Sequence, residues 1–394
     1  MKKKLLFVME SLGIGGAEKS LVTLLSQLDY SKYDVDLFLF NKKGEFIDLV
    51  PAEVNILDTP INFNNFILNP KESLRALTKS KNIKLLIYKI IEAVNLAFHR
   101  FILKKEYIGW KFIKKSIQSL EDEYDVAIGF LEKKSIYFTV DKVKAKKKIG
   151  WIHTDYRKIE FNYKLDNYYL EQLNEVITVS KPCKDSLIEV FPSIENKTTV
   201  ISNMISEKLI NKMANENVKD IKKEKNEILL CTVGRLTPAK GYDIAIECCE
   251  QLVKKGLNFR WIVVGDGSER VKLECMIKEK GLEDVFVLSG STSNPYPYMK
   301  LCDIYVQPSR WEGFGITVAE AKVLNKPIVV SSIPEFVEQI QDNRTGIVYI
   351  DNNDMINKIE NIILDKSIRE KLSYNLENMN IDNNFELEKL EKLF

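Results

Sequence analysis

The alternation of short β-rich runs with amphipathic helical stretches is the feature that most constrains the fold of this chain. From about residue 226 onward, strand-like runs such as EILLCTVG, FRWIVVG and DIYVQPS are separated by helical stretches such as GYDIAIECCEQLVKKG. This alternation is typical of a parallel sheet with helices packed on its faces. We therefore predict a doubly wound α/β domain over residues 226–380.

The first part of the chain shows the same alternation less regularly. KLLFVM, DVDLFLF, YDVAIGF and EVITVS are strand-like, and a basic helical segment interrupts them at about residues 70–120. Because a domain usually holds roughly 100–200 residues, the length of 394 residues favours two domains. We predict an N-terminal Rossmann-like domain over residues 1–205, a polar linker over 206–225 and a C-terminal helix over 381–394, with a return of that helix to the N-terminal domain as one option.

Charge, cysteine content and apolar runs exclude several classes of protein. The net charge is only +2 at pH 7, and the six cysteines show no CxxC or metal-ligand spacing. The apolar run at residues 5–9 is too short for a signal peptide and predicts a first buried strand. No uncharged apolar run reaches the roughly 20 residues of a membrane-spanning helix. We therefore expect a cytoplasmic protein with reduced thiols.

Two loops that follow predicted strands carry features suited to phosphate. Gly15 and Gly16, in ESLGIGGAEKS, precede a predicted helix and allow backbone N–H groups to face a ligand, although a plain tight turn explains them equally well. Arg235 and Lys240, in VGRLTPAKGYD, follow a strand at the sheet edge where ligands of open α/β sheets bind. Two cations there suit a diphosphate, and surface cations flanking a turn are the simpler alternative for this loop taken alone.

The stretch SRWEGFGITVAEAKVLNKPIVV introduces a helix with two glutamates eight residues apart. Thr317 and Glu320 fit a capping box, in which the glutamate returns to the backbone N–H of the capping residue. Glu312 has no such role in folding. It precedes a Gly-Phe-Gly segment, where small residues let a ligand approach the backbone, and a carboxylate there suits sugar hydroxyls. Glu312 is therefore the stronger candidate for a ligand contact.

Taken together, these stretches resemble the retaining glycosyltransferases of the GT-B fold, particularly family four, the group of bacterial polysaccharide and glycolipid transferases. The matching segments are, in order, GGAEKSL, VGRLTPAKGYDIAIE, VVGDG, VQPSRWEGFG and KPIVVSSIPEFVEQI, with a Glu-x7-Glu motif in EGFGITVAE. They cover the C-terminal domain almost continuously and the N-terminal domain in patches. The resemblance implies two Rossmann-like, doubly wound parallel-sheet domains that face each other across a cleft.

The resemblance also implies roles for individual residues. Glu312 would hold hydroxyls of the donor sugar, and Glu320 would accept hydrogen bonds from the nucleotide ribose. Arg235 and Lys240 would neutralise the diphosphate and stabilise it as it leaves. The residues that would present backbone groups to the phosphates and the sugar are Gly15, Gly16, Gly313, Phe314 and Gly315.

His153 is the remaining catalytic candidate. It follows the β-rich run KKIGWI, and a lone histidine at a strand end is more often structural than catalytic. In the transferases that this chain resembles, however, a histidine at this place in the N-terminal domain faces the transferred sugar. The resemblance therefore favours a catalytic role for His153.

The implied reaction moves a sugar from a nucleoside diphosphate sugar, with a UDP-sugar favoured, to a polysaccharide or lipid-linked acceptor in bacterial cell-surface glycan synthesis, with retention of configuration. No metal and no cofactor are expected, because Arg235 and Lys240 can supply the positive charge. Two alternatives stay open: a nucleotide-sugar epimerase of the same fold, and a non-catalytic sugar-nucleotide-binding subunit of a transferase complex. The absence of a dinucleotide fingerprint disfavours an oxidoreductase.

The segment at residues 79–115 is strongly basic, with ten lysine or arginine residues against two glutamates. These cations are interleaved with apolar and aromatic runs such as LLIYKIIEAV and YIGWKF, a mixture that suits a helix lying on anionic lipid. A solvated helical hairpin packed on the N-terminal domain is the alternative. We expect peripheral attachment to the inner face of the cell membrane, and no nucleic-acid partner, because no nucleic-acid-binding motif accompanies the basic residues.

Overall fold

The computed structural model divides the chain into two units. The first contains Met1–Ser202 and Glu386–Phe394, and the second contains Asn203–Phe385. The residues that the structure describes are 2–59, 65, 70–80, 83–102, 109–217, 221–379 and 384–394. Parts of the predicted basic segment, the predicted linker and the predicted C-terminal helix lie outside these ranges.

Seven parallel strands form the sheet of the first unit, in the order β3-β2-β1-β4-β5-β6-β7. The strands are β1 (Lys3–Met9), β2 (Tyr33–Leu39), β3 (Asn55–Ile56), β4 (Glu123–Gly129), β5 (Lys144–Ile152), β6 (Glu175–Thr178) and β7 (Thr198–Val200). The helices are α1 (Gly16–Gln27), α2 (Pro70–Lys79), α3 (Ile83–Ile102), α4 (Gly109–Ser116), α5 (Lys134–Lys142), α6 (Tyr163–Glu171) and α7 (Lys181–Val190).

Six parallel strands form the sheet of the second unit, in the order β10-β9-β8-β11-β12-β13. The strands are β8 (Ile228–Val233), β9 (Phe259–Val264), β10 (Phe286–Gly290), β11 (Ile304–Gln307), β12 (Ile328–Ser331) and β13 (Ile347–Tyr349). The helices are α8 (Glu207–Met213), α9 (Tyr242–Lys254), α10 (Arg270–Glu279), α11 (Tyr296–Leu301), α12 (Ile316–Val323), α13 (Pro334–Gln339), α14 (Asn352–Leu364) and α15 (Lys366–Glu377).

The central strands are apolar along their length because helices cover both faces of each sheet. In β1, every side chain from Leu5 to Met9 is fully buried, and in β11 Ile304, Tyr305 and Val306 are fully buried as well. Separate apolar clusters lie on the two faces of the second sheet. The prediction of two doubly wound parallel-sheet domains is therefore confirmed.

Two segments at the domain boundaries have defined places. Helix α8 lies within the predicted linker at 206–225, and its Ile210 is buried in an apolar cluster of the second unit. The last helix, α16 (Asn384–Glu391), leads back to the first unit, where the Phe394 ring meets Tyr33 edge to face at 5.3 Å and the Glu386 carboxylate accepts from the Ser202 N–H at 2.9 Å. Within the described ranges, no helix combines the length and apolar character needed to cross a membrane.

Candidate active site

The strand order of each sheet reverses at one place, and the predicted site residues lie in the loops there. The reversal falls between β1 and β4 in the first unit and between β8 and β11 in the second. Ligands of open α/β sheets bind outside the carboxyl ends of the strands at such a switch point. The loops after β1, β8 and β11 carry Gly15, Arg235 with Lys240, and Glu312 respectively.

Glu312 and Lys240, which stand 72 residues apart in sequence, form an ion pair in the second unit. The Lys240 Nζ donates to both carboxylate oxygens of Glu312, at 2.6 and 2.7 Å. The Glu312 residue is only 8% exposed, so this pair is largely withdrawn from water. The two site residues predicted from separate motifs are thus brought into direct contact.

A chain of buried side chains orients the Glu312 carboxylate. Ser309 Oγ donates to Glu312 Oε1 at 2.7 Å, and Gln307 Nε2 donates in turn to Ser309 Oγ at 3.0 Å. Behind them, the Tyr305 hydroxyl donates to Gln307 Oε1 at 2.7 Å. Satisfied polar networks of this kind hold their members in one geometry. No sequence motif pointed to these three residues, although their alternation along β11 and its extension, in IYVQPS, is consistent with one shared face.

The loop that carries Lys240 is held against the loop that carries Glu312. A short 3-10 helix, Pro238–Lys240, ends at Gly241, whose φ of 67° lies in the left-handed region. A Cβ on Gly241 would lie 2.1 Å from the Pro308 carbonyl oxygen, so only glycine fits at this contact. The Arg310 N–H also donates to the Ala239 carbonyl at 2.7 Å. These contacts explain why Lys240 meets Glu312.

Arg235 occupies a different environment from Lys240. It is exposed, and its side chain makes no hydrogen bond or ion pair with any residue of the described ranges, whereas its backbone carbonyl accepts from the Thr237 N–H at 2.8 Å. Its neighbour Leu236 is fully buried and donates its N–H to the Asp266 carbonyl at 2.9 Å, which anchors the backbone of the loop. The Arg235 guanidinium therefore stands at the sheet edge without a carboxylate partner in the part of the chain that the structure describes.

The capping-box interpretation of Thr317 and Glu320 is wrong. The residue before helix α12 is Gly315, in a left-handed conformation with φ 82° and ψ 53°, and no side chain caps the helix there. Thr317 lies inside the helix, where its hydroxyl donates to Gln307 Oε1 at 3.3 Å. Glu320 is 1% exposed and its Oε1 accepts from the Tyr296 hydroxyl at 2.9 Å. Burial and the adjacent Glu320 together raise the pKa of Tyr296, which keeps that donor protonated.

The Gly-Phe-Gly segment before α12 is fixed by the helix that follows β12. The Phe314 carbonyl accepts a hydrogen bond from Gln339, and the Phe314 ring packs against an apolar cluster of the second unit. A Cβ on Gly315 would lie 2.5 Å from the Phe336 ring. Gly313, between Glu312 and Phe314, is partly exposed. The segment is therefore close-packed on one side, and its path follows from these contacts.

In the first unit, Gly15 and Gly16 lie at the beginning of helix α1. Gly15 is the residue before the helix, with extended backbone, and Gly16 is its first helical residue. Glu18 stands in the first turn. The N–H groups of a first helical turn lack partners within the helix. The predicted glycines are thus located where backbone donors are available, directly after β1 at the switch point.

His153 follows β5 and lies among aromatic rings. Its ring centroid is 4.9 Å from that of Phe130 and 5.9 Å from that of Trp151. The side chain is partly exposed, but both ring nitrogens are inaccessible to solvent and have no hydrogen-bond partner in the described ranges. Burial lowers the pKa of His153 to about 3, so the imidazole is neutral at physiological pH. A neutral ring can donate one hydrogen bond and accept another.

We expect His153 to make the protein sensitive to mild acid. An unfolded histidine titrates near 6.5, whereas the folded His153 has a pKa of about 3. Its contribution to stability is therefore complete above pH 6.5 and is lost as pH falls from 6.5 towards 3. His153→Gln should therefore reduce the slope of the free energy of unfolding against pH between pH 6.5 and 5, by up to about 1.4 kcal/mol per pH unit. Denaturant unfolding of the variant and of the unsubstituted protein at several pH values measures this slope; equal slopes in the two proteins would contradict the expectation.

Glu132 is a further polar group at this edge that the sequence analysis did not identify. Its Oε2 accepts from the backbone N–H of His153 at 3.1 Å, and burial raises the pKa of its carboxyl. The next residue, Lys133, has a φ of 66°, which is unusual for a residue other than glycine and is a form of strain common at functional sites. The run GFLEKKS, which places Glu132 just after a predicted strand, was the sequence feature that could have indicated this residue.

Comparison with known proteins identifies the second unit. Residues 213–379 match the family described as Glycosyl transferases group 1. This unit is a group 1 glycosyltransferase domain. The resemblance expected from the sequence motifs is confirmed, and all the site residues predicted after residue 205 lie within the matched range.

Curated relatives align with part of this chain. The alpha-D-kanosaminyltransferase of Streptomyces kanamyceticus is 31% identical over 147 residues, which are 36% of this chain and 38% of the relative. The poly(ribitol-phosphate) alpha-N-acetylglucosaminyltransferase of Staphylococcus aureus is 30% identical over 210 residues, covering 51% of this chain and 39% of the relative. The aligned part therefore spans about two fifths of the length of these relatives.

Solved structures share the fold of the whole chain at low sequence identity. HepE of Anabaena, in complex with UDP and glucose, has a TM-score of 0.68 at 17% identity, covering 99% of this chain and 98% of the other. S. aureus TarM, in complex with Fondaparinux, alpha-GlcNAc-glycerol and UDP, has a TM-score of 0.66 at 18% identity and covers 99% of both chains. The predicted two-domain Rossmann-like GT-B fold is confirmed.

Proposed function

We propose that this protein is a retaining, metal-independent glycosyltransferase that moves a sugar from a nucleoside diphosphate sugar to a polysaccharide or lipid-linked acceptor of a bacterial cell surface. The observation that carries the proposal is the Lys240–Glu312 pair, held at the switch point of a group 1 glycosyltransferase domain. It sets a cation for phosphate and a carboxylate for sugar hydroxyls side by side. A cation beside a carboxylate suits a sugar diphosphate, in which the charged phosphates adjoin the hydroxyl-bearing sugar.

Different residues of the second unit would bind the two parts of the donor, the diphosphate and the sugar. Arg235 and Lys240 would bind the diphosphate and stabilise the negative charge that develops on it as the glycosidic bond breaks. Glu312, oriented by Ser309, would accept hydrogen bonds from the sugar and hold it in position for attack. The backbone of Gly313, Phe314 and Gly315 would line the ligand. Two cations in this loop would supply the positive charge that a metal ion could otherwise provide, and on this ground we propose that transfer is metal-independent.

On this proposal no carboxylate acts as a base. The acceptor hydroxyl attacks from the side of the leaving group, and a diphosphate oxygen takes its proton, which retains the configuration of the sugar. His153, neutral because of burial, would face the transferred sugar and orient it rather than act as a cation. Gly15 and Gly16 would direct backbone N–H groups of helix α1 at phosphate oxygens.

The nucleotide is proposed to be uridine diphosphate. Two structures that share the fold contain UDP, which supports this choice. Glu320 would accept hydrogen bonds from ribose hydroxyls through its carboxylate, which the Tyr296 hydroxyl orients. Glu320→Ala is accordingly expected to weaken nucleotide binding more than it slows transfer.

A thermal-shift panel of UDP, GDP, ADP and their sugars tests the donor. A ligand present at 100 times its dissociation constant stabilises the folded protein by about 2.7 kcal/mol, so the matching nucleotide should raise the melting temperature by several degrees. We expect UDP and UDP-sugars to give the largest shift. A purified protein that binds a UDP-sugar but releases no UDP with any glycan or lipid-linked acceptor would favour the non-catalytic subunit instead.

Helix α3 supports the proposed attachment to anionic membrane through residues 79–115. Ile83, Ile87, Ile90 and Val94 lie on one face of the helix and are 69%, 49%, 48% and 63% exposed, an unusual amount of apolar surface for one helix. Lys84, next to Ile83 in sequence, is exposed as well. We propose that the face lies in the interface of the inner leaflet, where long apolar side chains and lysines are both accommodated.

Co-sedimentation with vesicles tests the membrane proposal. The protein should bind phosphatidylglycerol vesicles more tightly than phosphatidylcholine vesicles, and added salt should weaken the binding. Ile87→Ser with Ile90→Ser should reduce binding at least about tenfold, since each change removes apolar area from the interface. Val271→Ser, at a 73% exposed valine of the second unit, is the control. Equal failure to bind both kinds of vesicle would overturn the proposal.

A further inference from the structure

The first unit contains an open cleft of about 420 Å³ whose lining includes none of the candidate active-site residues. Three helices contribute to it: the beginning of α3, the end of α4 and the end of α5. The described residues that line the cleft are Lys84, Tyr88, Lys114, Lys115, Asp141 and Lys142. Four ammonium groups therefore meet one carboxylate among these residues.

The single carboxylate is already engaged by its own surroundings. Asp141 Oδ2 accepts from Trp110 Nε1 at 2.9 Å and from the Tyr169 hydroxyl at 2.6 Å, and Lys114 Nζ approaches it at 3.4 Å. Lys115 Nζ lies 4.4 Å from the centre of the Tyr88 ring. Because one carboxylate balances at most one lysine, the lining carries a clear excess of positive charge.

The helix ends explain some of these lysines but not all of them. Lys114, Lys115 and Lys142 stand in the last turns of α4 and α5, where cations favour the helix dipole. Lys84 stands in the first turn of α3, which has no acidic residue, and a cation there opposes the dipole. Burial lowers the pKa of Lys142, and the nearby Lys114 lowers it further against the opposing effect of Asp141. An anion in the cleft would relieve these unfavourable charges.

We propose that this cleft binds a phosphate ester. Ammonium groups that approach from three helices can each donate to a different oxygen of one phosphate, and a dianion balances the lysine excess better than a carboxylate. The volume leaves room for the group to which the phosphate is attached.

The lysine-lined cleft would let the first unit select ligands that carry a phosphate group. A phosphate on a lipid headgroup or on a soluble phosphate ester offers the same chemistry to the cleft. If the ligand is the sugar acceptor, that assignment rests on the proposed function, whereas phosphate binding itself needs no nucleotide sugar. The two ideas can therefore fail independently.

Calorimetric titration of the full chain with glycerol 3-phosphate at fixed ionic strength tests the proposal. Lys84→Ala with Lys115→Ala should raise the Kd at least about tenfold. The control, Lys71→Ala with Lys144→Ala, removes two exposed lysines of the first unit that are outside the cleft and should leave the Kd within about twofold. Arg235 and Lys240 are unchanged in the unsubstituted protein and in both double variants. Any glycerol 3-phosphate that they bind therefore does not affect the difference in Kd between these proteins.

Equal loss in the two double variants, or no binding by the unsubstituted protein, would overturn the proposal. If the double alanine variant does not fold, Lys84→Gln with Lys115→Gln takes its place, because glutamine retains most of the side-chain length.

Vesicles of phosphatidylglycerol then identify the source of the phosphate. Weaker vesicle binding by the cleft variant than by the control, together with displacement of the unsubstituted protein from vesicles by glycerol 3-phosphate at fixed ionic strength, supports a lipid headgroup. Equal vesicle binding with loss of glycerol 3-phosphate binding supports a soluble ester.

Discussion

Glu312→Ala is expected to lower kcat for sugar transfer by at least about 100-fold, the size of effect seen when one positioned polar group is removed from an active site. The carboxylate is buried and held by Lys240 and Ser309, so its position is set before the donor arrives. Removing it deletes the acceptor for sugar hydroxyls and frees Lys240 to move. Steady-state release of UDP from the UDP-sugar measures the loss.

Two further variants separate the chemistry of Glu312 from its effect on folding. Glu312→Gln retains the size of the side chain and should still lose most of the activity, because an amide is a weaker acceptor and cannot pair with Lys240. Glu338→Ala, at an exposed glutamate of the same unit, should be neutral. Near-normal turnover in Glu312→Gln would show that the carboxylate is not needed for transfer.

Arg235→Ala is expected to lower kcat/KM about 100-fold or more while leaving the stability of the protein unchanged. The guanidinium is exposed and has no ion-pair partner in the described ranges, so its loss breaks no contact of the folded chain there. Its effect should appear when the diphosphate leaves, where a fixed cation stabilises the developing charge.

Lys240→Ala provides the contrast, since it should reduce both activity and stability. Its loss leaves the buried Glu312 carboxylate without its cation, at a cost of about 1–3 kcal/mol in the free energy of unfolding. Urea unfolding of both variants, with Lys225→Ala as an exposed control, measures the difference. Near-normal transfer by Arg235→Ala would contradict the proposed phosphate role, and unchanged stability of Lys240→Ala would contradict the importance of the ion pair.

The wrong interpretation of Glu320 shows where local pattern misleads. Thr317 and Glu320 have the spacing of a capping box, but a cap needs non-helical backbone at the first of them, and Thr317 is already inside α12. Gly315 begins the helix because its left-handed conformation and its contact with Phe336 suit glycine. The partner of Glu320 is Tyr296, whose approach depends on how α11 packs against α12.

The first unit was the harder half to predict. The alternation of strands there is interrupted by helices α2 to α4, so the cleft between α3, α4 and α5 could not be foreseen from the excess of lysines alone. From sequence alone, the membrane was the one partner predicted for the basic residues at 79–115. Their separation into a lysine-lined cleft and an apolar face of α3 follows from which side of each helix is packed.

The sequence by itself determined the class of fold and singled out Glu312. Both depend on local information: the period of apolar residues along a strand or helix, and a carboxylate that no helix signal explains. Only the tertiary structure decided that Glu312 pairs with Lys240, that Ser309, Gln307 and Tyr305 support it, and that Glu320 meets Tyr296. The contacts of Glu312 with Lys240 and of Glu320 with Tyr296 join residues that are 72 and 24 positions apart in sequence, so they depend on strand order and on how loops and helices pack, which sequence periodicity does not specify. The series from Tyr305 to Glu312 is local in sequence, but the loop path that turns Ser309 towards Glu312 is set by tertiary packing.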